Sequence, residues 1–345
     1  MKFILLSIIA FLLLSCEKER LQDFTNTRQI SSIPISKIDL LVGGNVTLNV
    51  IDTLLIVANQ VEPFIRIYST NSHELISTFG KEGRGPKEFL SASVTKQDYF
   101  QFSSTITKKA INLYDFKRNK LTIIDLQKYI ESGEGILRLR VPSDREFISS
   151  HHYLDTEISI ATPLDRDLFI IHNFSDTTFK RVDFKPELNY EVKRNDKPSV
   201  YRPAVFVNKK DKIIASAPLK LGELDFFNFD GELINETIFE SREKFKSEIE
   251  SGLGGEENIK TYIVELDTLK NEIFALNINT PVGELDSKIQ NNLIQKFNWD
   301  GDPLLQYELD GKSIKSFAVD HINNRIYAYI HTERKNNIII YNLDQ

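Results

Sequence analysis

Two stretches of the chain share one pattern: Phe227-Asn228-Phe229-Asp230-Gly231-Glu232-Leu233 and Phe297-Asn298-Trp299-Asp300-Gly301-Asp302-Pro303. In each stretch an aromatic strand end runs into Asp-Gly, a dipeptide that accepts the positive φ angle of a tight hairpin. Of the first five positions, four are identical and the remaining one, the third, is aromatic in both stretches. The pattern predicts two hairpins at equivalent places in a chain with internal repeats.

The surrounding sequence consists of short alternating runs rich in Ile, Val, Phe, Tyr and Thr, separated by Asn, Asp, Gly and Lys, which is typical of an all-β chain. Comparable strand ends recur 44 to 70 residues apart, at Tyr68, Ile124, His172, Phe229, Trp299 and Leu343. A unit of about 50 residues accommodates four strands, as in a propeller blade. The spacing therefore predicts a six-bladed β-propeller of four-stranded antiparallel blades.

The last unit stops shortly after Leu343, so it lacks a fourth strand. The β-like segment 29–36 is expected to complete this blade and to close the ring without an open edge. Its Pro34 is tolerated on an outer strand. A β-sandwich, or two separate β domains, explains the strand content but not this spacing. A seventh blade would have to lie between Phe229 and Trp299, where the charged, glycine-ended segment 241–257 instead predicts a helical insertion.

The N-terminus predicts export. Lys2 precedes a stretch, 3–14, in which only Ser7 is polar, a length typical of a signal peptide and short of the roughly 20 residues that span a bilayer. The tetrad Leu13-Leu14-Ser15-Cys16 resembles a bacterial lipobox. The resemblance implies cleavage before Cys16 and attachment of lipid, including palmitate, to that residue.

The predicted organisation is a signal peptide over residues 1–15, a tether over 16–28 and one propeller domain over 29–345. The expected location is extracytoplasmic, with Cys16 anchored in the outer membrane on its periplasmic or cell-surface face. The formal charge of −6 argues against nucleic-acid binding. A single cysteine excludes an internal disulfide. We expect a monomer.

The segment 79–89 contains Gly80, Gly83, Gly85, Pro86 and Phe89, which are predicted to build a structural loop between two blades. The glycine spacing fits neither a dinucleotide-binding nor a P-loop pattern. The loop resembles those between NHL-type repeats. Together with the lipobox and six β units, it makes the chain similar to the TolB-like six-bladed propeller lipoproteins of Gram-negative bacteria. This resemblance implies a fold and a location rather than a reaction.

A ligand site is predicted at the mouth of the central channel, where loops from successive blades meet. The candidate binding residues are Arg84, Arg145, Tyr201 and Arg202. Three guanidinium groups suit an anionic or carboxylate ligand. In the alternative interpretation, each arginine pairs with an acidic residue close to it in the sequence.

No catalytic motif is evident, and we expect no catalytic residue, metal or cofactor. His151 and His152 are adjacent, so on a strand they face opposite sides. The segment 300–302 lacks the terminal Glu of a calcium loop and favours a hairpin. The predicted function is a binding or interaction platform for protein or glycan ligands. The alternative is a hydrolase or lyase with a metal-assisted site in the central channel.

Overall fold

The computed structural model describes residues 21–38, 46–85, 87–91, 93–95, 99–103, 106–115, 117–140, 148–153, 158–163, 167–173, 176, 178–183, 202–250, 259–269, 271–285, 290–333 and 335–344. Two short strands come first in the chain, β1 (Thr27–Gln29) and β2 (Ser32–Pro34). The remaining strands of the described residues form six sheets arranged as the blades of a propeller, and one two-stranded pair between two of them.

Blades 1 to 3 follow in chain order. Blade 1 comprises β3 (Thr47–Ile51), β4 (Leu54–Ala58), β5 (Ile65–Ser69) and β6 (Leu75–Phe79). A small parallel pair, β7 (Lys81–Glu82) and β8 (Glu88–Phe89), leads to blade 2. Blade 2 comprises β9 (Ser93–Thr95), β10 (Tyr99–Ser103), β11 (Ile106–Asp115), β12 (Lys120–Asp125) and β13 (Ile136–Arg140). Blade 3 comprises β14 (Ile148–Tyr153), β15 (Ile158–Pro163), β16 (Phe169–Asn173) and β17 (Thr178–Val182).

Blades 4 to 6 complete the ring. Blade 4 comprises β18 (Pro203–Asn208), β19 (Ile213–Pro218), β20 (Glu223–Asn228) and β21 (Leu233–Ile238). Blade 5 comprises β22 (Lys260–Leu269), β23 (Glu272–Pro281), β24 (Leu293–Asn298) and β25 (Pro303–Glu308). Blade 6 comprises β26 (Ile314–Asp320), β27 (Arg325–Ile330) and β28 (Ile338–Asn342). The predicted six-bladed propeller is confirmed.

The hydrophobic core is divided among the boundaries between blades. Six clusters of buried apolar side chains each join two neighbouring blades. At the boundary of blades 3 and 4, for example, Ile160 and Phe169 pack with Val205 and Phe227. Middle strands such as β16 are buried on both faces because each face meets a different blade. Stability therefore depends on how well neighbouring blades fit together.

The N-terminal strand closes the ring as predicted. Strand β2 pairs antiparallel with β28, with Ser32 opposite Tyr341, and gives blade 6 its fourth strand. Asp310 supports this pairing, because its carboxylate accepts hydrogen bonds from the Ser32 hydroxyl at 2.6 Å and the Tyr341 hydroxyl at 2.7 Å. Near the centre of the ring, the Leu48 amide donates to Ser316 Oγ, and Ser316 donates to Glu265, so hydrogen bonds also join blades 1, 6 and 5.

Residues 21–34 form an N-terminal strap that runs along the outer strands of three blades. Leu21 forms a parallel bridge with Ile238 of blade 4. Strand β1 pairs parallel with β25 of blade 5, and β2 pairs with blade 6. Phe24 packs edge-to-face on Phe297, with ring centroids 5.2 Å apart. The second half of the predicted tether, residues 21–28, thus lies on the propeller, whereas residues 16–20, including Cys16, lie outside the described residues.

The described residues contain two α-helices. Helix α1 (Leu126–Ser132) connects β12 to β13 and was not predicted. The Asp125 carboxylate caps its N-terminus by accepting from the Lys128 amide, and Gly133 ends it at a φ of 72°. Helix α2 (Arg242–Glu250) lies in the predicted insertion, of which residues 251–257 are not described. Neither helix combines the length and the apolar character needed to cross a bilayer.

The two copies of the repeated sequence form equivalent turns between the third and fourth strands of blades 4 and 5. Asn228 Oδ1 accepts from the amides of Asp230 and Glu232, both at 2.9 Å. Asn298 Oδ1 accepts from the amides of Asp300 at 3.1 Å and Asp302 at 2.7 Å. Gly231 has a φ angle of 71° and Gly301 has a φ angle of 87°. The Asp-Gly pairs therefore form tight hairpins, as predicted.

Candidate functional site

The glycine-rich loop between blades 1 and 2 is held by its own backbone and by one carboxylate. The Gly83 amide donates to the Phe89 carbonyl, and the Glu88 amide donates to the Gly85 carbonyl. A second hydrogen bond joins the same two residues, because the Glu88 carboxylate accepts from the Gly85 amide at 2.6 Å. The loop is thus closed on itself around Glu88.

The spacing of the glycines follows from the position of the Glu88 side chain. A Cβ atom at Gly83 or Gly85 would lie less than 3.0 Å from the Glu88 carboxylate. Gly83 also has a φ of 146°, which L side chains rarely adopt. Phe89 anchors the end of the loop and is buried against Phe79, with ring centroids 5.6 Å apart. Pro86 lies outside the described residues.

A surface cavity of about 480 Å³ opens between this loop and helix α1, and we call it the loop pocket. Its walls come from blade 1, the loop and helix α1. The lining residues are Pro63, Thr78, Phe79, Gly80, Lys81, Lys87, Glu88 and Tyr129. The volume is within the range of about 300–1,000 Å³ that small-molecule sites occupy.

The loop pocket combines an aromatic wall with two ammonium groups. The Tyr129 hydroxyl donates to the Thr78 carbonyl at 3.1 Å. Lys87 Nζ lies 5.5 Å from the centroid of the Tyr129 ring and donates to the Gly133 carbonyl at 3.2 Å. Lys81 is exposed on the loop side. Burial raises the pKa of Tyr129, so its hydroxyl remains protonated at neutral pH.

Further positive charge lies behind the loop. The Arg138 guanidinium carbon lies 5.5 Å from the Phe89 ring centroid. Two of its nitrogens, Nε and Nη2, are buried and have no hydrogen-bond partner among the described residues. Burial, with a smaller contribution from Arg118, lowers the pKa of Arg138. Arg118 itself donates to the Glu88 carbonyl at 3.2 Å.

Of the predicted binding residues, Arg84 and Arg202 lie within the described part of the chain. Arg84 lies exposed in the loop and does not line the loop pocket, and Arg202 is exposed just before β18. Arg145 and Tyr201 lie outside the described residues, so the three-arginine clamp stays a prediction. Lys81, Lys87 and Tyr129 were missed. A signal for Tyr129 exists, because Asp125 and Gly133 bracket its helix as capping residues.

The described residues do not contain three His, Cys, Asp or Glu side chains placed to share a metal ion. His152 lies on β14 and is buried at the boundary of blades 3 and 4, where its ring centroid is 6.3 Å from that of Phe206. Burial, with a smaller effect from Lys209, lowers the pKa of His152 to about 3. The side chain of His151 is outside the described part of the chain.

Two acidic residues of β22 accept hydrogen bonds from backbone amides of the next blade. Glu265 accepts from the Phe317 amide at 2.7 Å, and Asp267 accepts from the Val319 amide at 3.0 Å. Strand β22 is the first strand of blade 5, and β26, which carries both amides, is the first strand of blade 6. These carboxylates therefore hold two neighbouring blades together.

Comparisons with known proteins identify the fold and the family. A member of the DUF4221 family from Bacteroides vulgatus superposes with a TM-score of 0.60 at 12% identity, covering 92% of this chain and 96% of that one. A protein of Bacteroides fragilis, provisionally described as exported, superposes with a TM-score of 0.55 at 10% identity, covering 92% of this chain and 98% of that one. The calcium-binding protein regucalcin of Agrobacterium tumefaciens superposes with a TM-score of 0.50 at 11% identity, covering 92% of this chain and 95% of that one.

At these identities the likeness shows the fold alone. No curated protein sequence matches the chain. The sequence pattern of one family matches residues 46–322, which is most of the propeller. The chain belongs to the TolB-like 6-blade propeller-like family.

Proposed function

We propose that the protein is a lipid-anchored, extracytoplasmic binding protein for a protein or glycan ligand. The lipobox-like tetrad ending at Cys16 supports the anchor. The likeness to the exported protein of Bacteroides fragilis is in keeping with an extracytoplasmic location. The loop pocket is the observation that carries the binding role.

The chemistry of the loop pocket favours an anionic saccharide. Tyr129 contributes an aromatic wall that can pack against the apolar part of a sugar, and the ammonium groups of Lys81 and Lys87 suit a carboxylate or sulfate group. The Glu88 carboxylate would oppose such a ligand, but its negative charge is already directed at the Gly85 amide. Two lysines and one glutamate line the pocket, so the formal charge of its lining is positive.

The test is to measure binding of acidic and neutral oligosaccharides to the full chain by glycan array and calorimetry. The wild-type protein should bind an acidic sugar, and added salt should weaken binding because the pocket lysines are exposed to solvent. Replacing both Lys81 and Lys87 with alanine should weaken binding about tenfold, since two charged contacts are lost.

The matched control replaces two exposed lysines of other blades, Lys210 and Lys335, with alanine and should bind as the wild type does. Equal binding by the pocket variant and this control would show that the pocket is not the site. Binding of Ca²⁺ accompanied by cleavage of the sugar would instead support a metal-assisted hydrolase or lyase.

A further inference from the structure

The N-terminal strap leaves a short length of chain between Cys16 and the propeller. The Gln22 amide donates to the Ile238 carbonyl at 2.7 Å, next to the bridge formed by Leu21. From Cys16 to Leu21 the chain advances five residues, which span at most about 18 Å when fully extended. A lipid on Cys16 would therefore hold the propeller by one edge rather than by a flexible tether.

The edge that the strap reaches is the outer strand of blade 4, and apolar side chains are exposed there. Leu21 is 45% exposed, Leu233 40% and Ile234 52%. Ile234 lies four residues before Ile238 on β21, about 13 Å along the strand. These apolar side chains are thus within the distance that the chain from Cys16 can cover.

We propose that the outer edge of blade 4 rests on the bilayer that holds Cys16, with Leu233 and Ile234 in contact with the membrane interface. This inference depends on the lipid anchor of the proposed function. Blade 4 stands opposite blade 1 in a ring of six, so the loop pocket, between blades 1 and 2, faces away from the lipid. The occupant of the edge is the bilayer itself, because the short chain to Cys16 brings the two together.

The test uses two cysteine variants of the lipidated full chain, Ile234→Cys and Ile76→Cys. Ile76 is the matched control, because it is 42% exposed on β6, the outer strand of blade 1. Acylated Cys16 has no free thiol, so a fluorophore would label the new cysteine alone. On vesicles of phosphatidylethanolamine and phosphatidylglycerol with spin-labelled headgroups, we expect loss of fluorescence at position 234 and unchanged fluorescence at position 76.

Two further variants separate the orientation from the anchor. Insertion of a long Gly-Ser segment between Arg20 and Leu21 should reduce the difference between the labels, because the short chain then no longer holds the edge of blade 4 at the bilayer. Equal quenching of both labels in the vesicle-bound chain without the insertion, or stronger quenching at 76 than at 234, would overturn the orientation. A Cys16→Ser chain that still sediments with vesicles would instead overturn the lipid anchor.

Discussion

The turns 228–232 and 298–302 have nearly the same sequence and the same internal hydrogen bonds, yet they dock against different surroundings. In blade 4, the turn packs on the outer strand of blade 3, where a Cβ at Gly231 would lie 2.5 Å from a Val182 methyl. Exposed Lys180 donates to the Asp230 carbonyl. The contact between this turn and blade 3 is therefore apolar, apart from the hydrogen bond that Lys180 makes at the surface.

In blade 5, the corresponding turn docks on polar side chains of blade 4. The Asn235 amide donates to the Asp300 carbonyl, and the buried Thr237 hydroxyl donates to the Gly301 carbonyl at 2.6 Å. A Cβ at Gly301 would meet three atoms at 3.0 Å or less. The sequence of a turn therefore determines its own shape, whereas the outer strand of the preceding blade determines how firmly the turn is held.

The largest expected difference follows from adding one methyl group to each turn. Gly301→Ala should lower the free energy of unfolding by about 4 kcal/mol, because it combines a positive φ with overpacking. Gly231→Ala should cost about 2 kcal/mol, since only one methyl must move. Urea denaturation measures both values. Equal losses would show that the backbone angle alone, and not the neighbouring blade, accounts for the cost.

Acid should weaken the boundary of blades 3 and 4 through His152. Burial lowers the pKa of His152 in the folded state to about 3 from the ordinary 6.5, so the unfolded chain binds the proton more readily. Its contribution is constant above pH 6.5 and is lost as the pH falls towards 3. Between pH 7 and pH 4 the unfolding free energy should drop by about 3 kcal/mol.

The control for this effect is His152→Gln, which cannot titrate. Its unfolding free energy, measured across the same pH range, should lack this component of the decline. A His152→Gln protein with the same pH dependence as the wild type would mean that other groups account for the acid sensitivity.

Hydrogen bonds to the two turns should differ in importance because one donor is buried and the other is exposed. Thr237→Val removes the donor to the Gly301 carbonyl and should cost about 2 kcal/mol, since the buried acceptor loses its partner. Lys180→Met removes the donor to Asp230 at the surface and should change stability by less than about 0.5 kcal/mol. Chemical denaturation of both variants decides whether this order holds.

The smallest difference is expected inside the turns themselves. Asn228→Ala and Asn298→Ala each remove a side-chain oxygen that accepts hydrogen bonds from two backbone amides. Each should cost about 1 kcal/mol, because both asparagine turns are partly exposed to water. Thermal denaturation should give equal losses, and clearly unequal losses would contradict the view that the turns are locally equivalent.

The fold was predictable because each blade carries its own signals. Asp230-Gly231 and Asp300-Gly301 mark hairpins by a local backbone requirement, and alternating apolar residues mark the strands. The closing strand was predictable because a blade with three strands leaves an unpaired edge next to Leu343. Each of these features can be recognised from a short stretch of sequence without knowledge of the rest of the fold.

The candidate site was less predictable because it depends on residues that are distant in sequence. Tyr129 comes to Lys87 only because helix α1 is inserted between two strands of blade 2 and folds back over the loop. Lys81 lies in β7, at the start of the loop that follows blade 1, and lines the same pocket. Arg84 was predicted from its charge and its place in an inter-blade loop; it is exposed and does not line the loop pocket.

The pairing of β2 with β28 also has a consequence for folding kinetics. The partners Ser32 and Tyr341 are separated by nearly the whole chain, so this contact has about the largest sequence separation that the protein allows. Strand β2 is made first and has no partner until β28 follows. Closure must therefore be a late step, and a chain that is still being synthesised carries an unpaired strand edge that is prone to aggregation until β28 is available.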